Sequence, residues 1–192
     1  MLAERLSPSL LAHSHCVADA AVVLARRFGV DESDAELAGL LHDISRGEDD
    51  ATILALAEKM GVPVLAYERE HPHILHGRVG AAIVRRDLPG VGEAVLSAME
   101  VHTVGALPMS DLDRVVYLAD MIEPGRAYEG VEDLRAACAS STLAECFRLG
   151  YGRSVRHVLA SGRPVHPISA AVGAEIERET GRALFDPPAE VS

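Results

Sequence analysis

The chain has 192 residues, 48% of them hydrophobic, with 29 acidic against 18 basic side chains and a formal net charge of −11. On a scale of roughly 100–200 residues per domain this is enough apolar material for one substantial core, which excludes a disordered tail. The acidity leaves no general basic surface for counterion-release binding and argues against duplex nucleic acid, while a small anionic substrate held by local positive charge stays compatible with it.

Apolar residues recur at three- and four-residue spacing, and strict alternation is short and poor in aromatics, so an all-α chain is expected. A first helix is predicted over Pro8 to Phe28, stopped by Gly29; a second over Ser33 to Ile44, capped by Asp31 or Ser33. A third, Asp49 to Met60, ends at Gly61 and Pro63. Pro89-Gly90 separates a fourth, Ile74 to Asp87, from a fifth, Val91 to His102. Gly105 and Pro108 then open a connection before Ser110, the predicted cap of a helix to Ile122. Further helices are expected over Val131 to Ala139, Thr142 to Ala160 and Ile168 to Thr180. One domain is expected over residues 1–185, followed by a frayed tail at 186–192 that begins Asp186-Pro187-Pro188.

Cys16, Cys138 and Cys146 are odd in number and lack Cys-x-x-Cys spacing, which fits reduced thiols. The start, Met1-Leu2-Ala3-Glu4-Arg5, lacks the pattern of a signal peptide, and no segment reaches roughly 18 uninterrupted apolar residues. The expectation is a cytoplasmic protein with no membrane partner.

Against this apolar background, polar residues that interrupt buried helix faces carry the chemical information. His42-Asp43 closes the run Ala38-Gly39-Leu40-Leu41, and an adjacent imidazole and carboxylate can both ligate a first-row metal. His13 shares a face with Val17, Ala20, Leu24 and Phe28, whereas His15 lies about 200° around the helix beside Asp19 and is expected to be exposed. The same test turns His76 inward with Val79, Gly80 and Ile83, and His102 with Val95, Ala98 and Met99. Asp120 falls on the apolar side of its helix, where an unpaired carboxylate is costly. Each residue alone reads as a hydrogen-bonded core group; together they read as a shared metal site. His71 and His73, beside Pro72, are expected in an exposed connection, and His157 and His166 are left outside the ligand set.

The ordered set His13, His42-Asp43, His76, His102, Asp120 resembles the HD-domain metallophosphohydrolases, in particular their small single-domain YqeK branch, the symmetrical bis(5′-nucleosyl)-tetraphosphatases. The most specific stretches are His102-Thr103-Val104-Gly105-Ala106-Leu107-Pro108-Met109-Ser110 and Tyr117-Leu118-Ala119-Asp120-Met121-Ile122-Glu123-Pro124-Gly125-Arg126. The run from Leu37 to Asp43 with Arg46, Leu75-His76 with Gly80, and Gly162-Arg163-Pro164-Val165-His166-Pro167 add to the resemblance, which covers about residues 13–167. It implies an all-helical HD fold and a dinuclear iron site, with manganese or cobalt as substitutes. His13, His42, Asp43 and Asp120 would hold one metal, and His76 and His102 the second, with Asp43 bridging. The implied activity is cleavage of diadenosine tetraphosphate to two ADP; a homodimer stays open. Two departures bear on substrate selection and not on the ligands: Leu10-Leu11 stands where the family carries an arginine and an aromatic ring, and Val101 where it often carries an aromatic.

Two cations roughly 3.5–4 Å apart can activate a shared water for in-line attack on phosphorus, with a nucleoside diphosphate as leaving group. Asp43 and Arg46 are the expected catalytic residues, Arg46 being one turn beyond the ligand pair. Thr103 and Arg126 are further candidates for phosphate, and Glu123 and Tyr128 for the nucleoside. Two alternatives remain at this level: an HD phosphohydrolase acting on a nucleoside monophosphate, deoxynucleoside triphosphate or guanosine tetraphosphate, and a non-catalytic nucleotide-binding regulator.

Overall fold

The structure, a computed structural model, describes residues 5–185, so the first four residues of the expected domain and the expected tail at 186–192 lie outside the described residues. It contains the helices α1 (Pro8–Phe28), α2 (Glu32–Leu41), α3 (Asp50–Met60), α4 (Ala66–Glu70), α5 (His76–Asp87), α6 (Glu93–Val101), α7 (Asp111–Ile122), α8 (Val131–Ser140), α9 (Leu143–Ala160) and α10 (Ile168–Thr180). A 3₁₀ turn over Pro72–Leu75 leads into α5. No strand occurs among the described residues.

Local chemistry sets these boundaries. Asp31 caps α2 by accepting from Asp34 N at 2.9 Å, and Ser110 with Asp113 forms a capping box on α7. The expected helix Ser33–Ile44 starts one residue earlier and stops at Leu41, because residues 42–47 continue as tight turns with Ile44 N bonded to Leu41 O and Arg46 N to Asp43 O. Likewise the helix expected from Ile74 begins at His76. Pro72, whose missing N–H costs nothing in a first turn, instead opens the short 3₁₀ turn that precedes it. The five-residue α4 was not foreseen: it is too short to show a helical period.

The main core joins Val17, Ala21, Leu24 and Ala25 of α1 to Ala35, Ala38 and Leu41 of α2 and to Val115, Val116, Leu118 and Ala119 of α7. Each Leu or Val so buried contributes on the order of 1.5–3 kcal/mol. The α1–α2 approach is close enough that a β-carbon on Gly39 would stand 2.8 Å from Ala18 Cα, so glycine is required there. By length and average hydropathy α1 is apolar enough to cross a membrane, but its inner face is part of this core and also carries His13. A smaller cluster, Ile53, Ala57, Leu75, Val79 and Ile83, seats α3 against α5 and supports the turn before His76.

Candidate metal centre

His13 of α1, His42 and Asp43 after α2, His76 at the start of α5, His102 after α6 and Asp120 of α7 converge on one point. Asp43 sits at the middle. Its Oδ1 lies 3.0 Å from His76 Nε2 and 3.7 Å from His102 Nε2, and its Oδ2 lies 3.5 Å from His42 Nε2 and 3.9 Å from His13 Nε2. One carboxylate thus divides its two oxygens between two pairs of imidazoles. Asp120 Oδ1 completes the first pair, 3.0 Å from His13 Nε2 and 3.8 Å from His42 Nε2.

The imidazole tautomers follow from their other hydrogen bonds. His42 Nδ1 lies 2.7 Å from Gly39 O, His76 Nδ1 2.6 Å from His73 O and His102 Nδ1 2.8 Å from Met99 O. A carbonyl can only accept, so Nδ1 carries the proton and Nε2 presents a lone pair to the centre. His76 Nε2 and His102 Nε2 then face each other at 3.0 Å, and His42 Nε2 is buried with no hydrogen-bond partner. Facing lone pairs repel unless a cation or proton lies between them. Together with two carboxylates, this donor set fits divalent metals that accept imidazole nitrogen and carboxylate oxygen. Two subsets, His13 with His42 and Asp120, and His42 with Asp43 and His102, bring their ligand atoms within 4.8 Å of one another.

Electrostatics point the same way. Burial drives the His42 pKa down to about 4, so this ring is neutral at pH 7. Burial also lowers His76. For His102 burial is outweighed by the facing Asp43 carboxylate, and its pKa is raised, which favours a cation or a proton at its Nε2. Burial would raise both carboxyls, yet the imidazoles that face them, His102 and His76 at Asp43 and His13 at Asp120, hold both well below the usual carboxylate range. Both are ionised, as ligands must be.

The remaining expected residues separate into two groups. Arg46 is exposed and lines the cavity over the cluster, and Thr103 Oγ1 is 3.3–3.4 Å from the Nε2 atoms of His102 and His76. Arg126 lines the cavity too, but its Nη2 donates to Asp120 Oδ1, its Nε donates to Asp120 O at 2.8 Å, and Nη2 lies 3.5 Å from His13 Nε2. Glu123, expected at the nucleoside, is turned inward instead. It is buried, its Oε1 lies 3.2 Å from His13 Nδ1, and its Oε2 accepts from Gly125 N. Tyr128, also expected there, is exposed and not among the residues that line the cavity. His15 is exposed as expected.

The cavity has a volume of about 540 Å³, within the roughly 300–1,000 Å³ typical of small-molecule sites. Its wall includes His71, His73 and His166; His71 and His73 lie in the expected connection, His73 exposed and His71 half-buried, and that connection also borders the site. The 3₁₀ turn folds that connection over the site. Leu10, at the first departure from the family pattern, lines it as well. The residue that sequence reading missed was Arg135. It donates from Nε to Ile122 O at 2.9 Å and from Nη2 to Glu123 O and Arg126 O at 2.7 and 2.9 Å, pinning the loop that carries Glu123 and Arg126.

Comparison with known proteins agrees with this geometry. The HD domain family matches residues 10–125. A Bacillus subtilis protein named bis(5′-nucleosyl)-tetraphosphatase, symmetrical, is 31% identical over 166 residues, covering 85% of this chain and 87% of that protein. The Staphylococcus aureus protein of the same name is 37% identical, covering 69% and 68%. The crystal structure of a predicted HD superfamily hydrolase from Clostridium acetobutylicum, described as involved in NAD metabolism, matches with a TM-score of 0.88 at 28% identity over 93% of this chain and 94% of that one. The chain belongs to the HD-domain hydrolase family, and within it to the branch whose curated members are named symmetrical bis(5′-nucleosyl)-tetraphosphatases.

Proposed function

We propose that this protein is a metal-dependent phosphohydrolase that cleaves dinucleoside tetraphosphates, diadenosine tetraphosphate among them, at the centre to give two nucleoside diphosphates. The observation that carries the reading is the division of Asp43 between two imidazole pairs whose Nε2 lone pairs converge. His13, His42, Asp43 and Asp120 would hold one cation and His76 and His102 the other, with Asp43 common to both. Iron is the metal we assign, with manganese or cobalt as replacements. When bound, such a pair supplies charge neutralisation for phosphoryl oxygens and activates water as the nucleophile.

The chain's own residues do the rest. Arg46 stands exposed at the cavity wall and donates to phosphoryl oxygens, and the Thr103 hydroxyl adds a donor beside His76 and His102. Arg126 offsets the charge of Asp120 and faces the same cavity. The departing nucleoside diphosphate spreads its charge over its own oxygens, so these donors matter more than a strong general acid. With a net charge of −11 the protein repels nucleic acid, and its small-anion partner binds only where this local positive charge collects. Its free thiols, Cys16, Cys138 and Cys146, are those expected of a cytoplasmic location.

The test is separation of initial products from diadenosine tetraphosphate by protein purified without oxygen and assayed for metal. ADP alone is expected. ATP with AMP would end the symmetrical assignment, and no cleavage with iron, manganese or cobalt would favour another nucleotide substrate or a binding role. Asp43→Ala should lose both metals and turnover; two metals retained per chain would reject the bridge.

A further inference from the structure

Away from the ligand cluster, one end of the cavity is walled by rings that no proposed ligand uses among the described residues. Tyr67 and His71 have ring centroids 4.6 Å apart with planes tilted by 49°, and His166 meets Tyr67 edge-on at 5.3 Å. All three, with Arg163, line the same cavity as Asp43 and His76. Arg163 is exposed; its Nε donates to Ser161 Oγ at 2.8 Å, and no carboxylate pairs with it among the described residues.

This wall is held with more structure than a surface segment needs. Tyr67 belongs to α4, a five-residue helix too short to persist on its own. Glu68, the next residue, is buried. Its Oε1 accepts from Arg78 Nη1 at 2.6 Å and lies 3.4 Å from His166 Nε2, and its Oε2 accepts from Leu65 N at 2.8 Å. Burying a carboxylate is costly, and Glu68 persists here with both of its oxygens accepting hydrogen bonds. From the other side Tyr67 Oη donates to Pro164 O at 2.7 Å. The ring is therefore fixed at its tip and at its helix, while it stays only half-buried. A polar rim with a fixed, accessible aromatic face suits stacking, because little conformational freedom remains to be lost when a ligand settles on it. The same cavity wall runs on to His76, so a nucleotide whose phosphates lie at the ligand cluster has this aromatic end of the cavity open to its base.

We propose that Tyr67, His71, His166 and Arg163 form a nucleobase clamp, in which a purine stacks on Tyr67 and His71 while the Arg163 guanidinium covers it or meets the ribose edge. The proposal rests on the dinucleotide reading above, since it assigns the base of the nucleoside diphosphate half. Purines should bind better than pyrimidines through their larger π face.

The experiment compares equilibrium binding of ADP and of inorganic pyrophosphate to the metal-loaded protein. Tyr67→Leu should weaken ADP by roughly tenfold or more and leave pyrophosphate within about twofold, because pyrophosphate has no base to stack. Tyr67→Phe keeps the ring and should retain most of the ADP affinity. Should Tyr67→Leu fail to fold, His71→Ala carries the same expectation. Equal loss for both ligands, or undiminished ADP affinity in a folded variant, overturns the clamp. So does a wild-type protein that binds ADP no better than pyrophosphate. The contrast needs no turnover, so failure to cleave dinucleoside tetraphosphates would refute the functional reading alone, and the two affinities would still decide for or against the clamp.

Discussion

Gly77→Ala tests whether the packing of α5 on α6 serves the metal centre. Gly77 follows His76 in the first turn of α5, and a β-carbon there would stand 2.5 Å from Met99 O and 3.1 Å from Cε1 and Nδ1 of His102. Helix propensity alone favours alanine by about 1 kcal/mol. The obstacle is a backbone carbonyl, which cannot rotate away as a side chain would, and the new methyl is about 1 Å short of ordinary contact with it. Relief requires α5 and α6 to part, at an overpacking cost of about 1–3 kcal/mol. Met99 O is also the acceptor for His102 Nδ1, so the same shift loosens a hydrogen bond worth about 1 kcal/mol. Net of propensity we expect a loss of about 1–3 kcal/mol, or a fall of roughly 3–10 °C in Tm for a chain of this size. Because the displaced atoms orient a ligand, affinity for the metal at His76 and His102 should fall about 10- to 100-fold. Thermal melting of the metal-free protein and a metal titration read the two effects. Gly90→Ala, with nothing within 4 Å of the added carbon, is the control. A Gly77→Ala protein with unchanged Tm and full metal occupancy would refute this coupling of packing to the centre.

Arg135→Met removes three donors to the carbonyls of Ile122, Glu123 and Arg126 without touching a ligand. It should weaken the metal held by His13 and Asp120 about tenfold while the other stays bound and the helical circular dichroism is retained; parallel loss of both metals would mean general destabilisation instead. The depressed pKa of His42 gives a pH dependence to the metal-free protein. Its folded value of about 4 lies below the ordinary 6.5, so its contribution is present above pH 6.5 and is lost as pH falls toward 4. Relative to His42→Asn, the wild type should lose about 3 kcal/mol of unfolding free energy over that interval. Parallel stability curves would show that the ring is not held neutral.

Helical spacing was sufficient to turn His13, His76, His102 and Asp120 inward, because a side chain three or four residues from a buried Val or Leu shares its environment. Spacing is silent about turns. Residues 42–47 leave the helical path and the 3₁₀ turn precedes His76, so the aim of Asp43 and the place of His71 and His73 in the cavity wall depend on contacts distant in sequence. Glu123 shows the same limit. At the end of α7 it reads as a candidate for the nucleoside, and only the approach of α1, 110 residues earlier, gives it His13 as a partner. Arg135 gave no sequence signal, since an arginine on an amphipathic helix is ordinarily solvated, and its targets are carbonyls that no residue type advertises.

The positions of the four histidines explain why one of them needs such a partner. His42 and His102 cap the C-termini of α2 and α6, and His76 opens α5 after a turn. At helix ends the last carbonyls have no partner within the helix, so Gly39 O and Met99 O are free to fix the rings of His42 and His102, and His73 O in the preceding turn does so for His76. His13 lies inside the 21-residue α1, where the carbonyl ladder is already engaged. No backbone acceptor is available to hold its Nδ1, and the buried carboxylate of Glu123 takes that role. A carboxylate is a stronger acceptor than a carbonyl and makes the imidazole a more basic ligand. It also ties one half of the centre to the loop from Glu123 to Arg126, and through Arg135 to α8. The His13 and Asp120 side is therefore tied to a loop and through it to α8, whereas His76 and His102 are set by the helices that carry them and respond to the packing of α5 on α6.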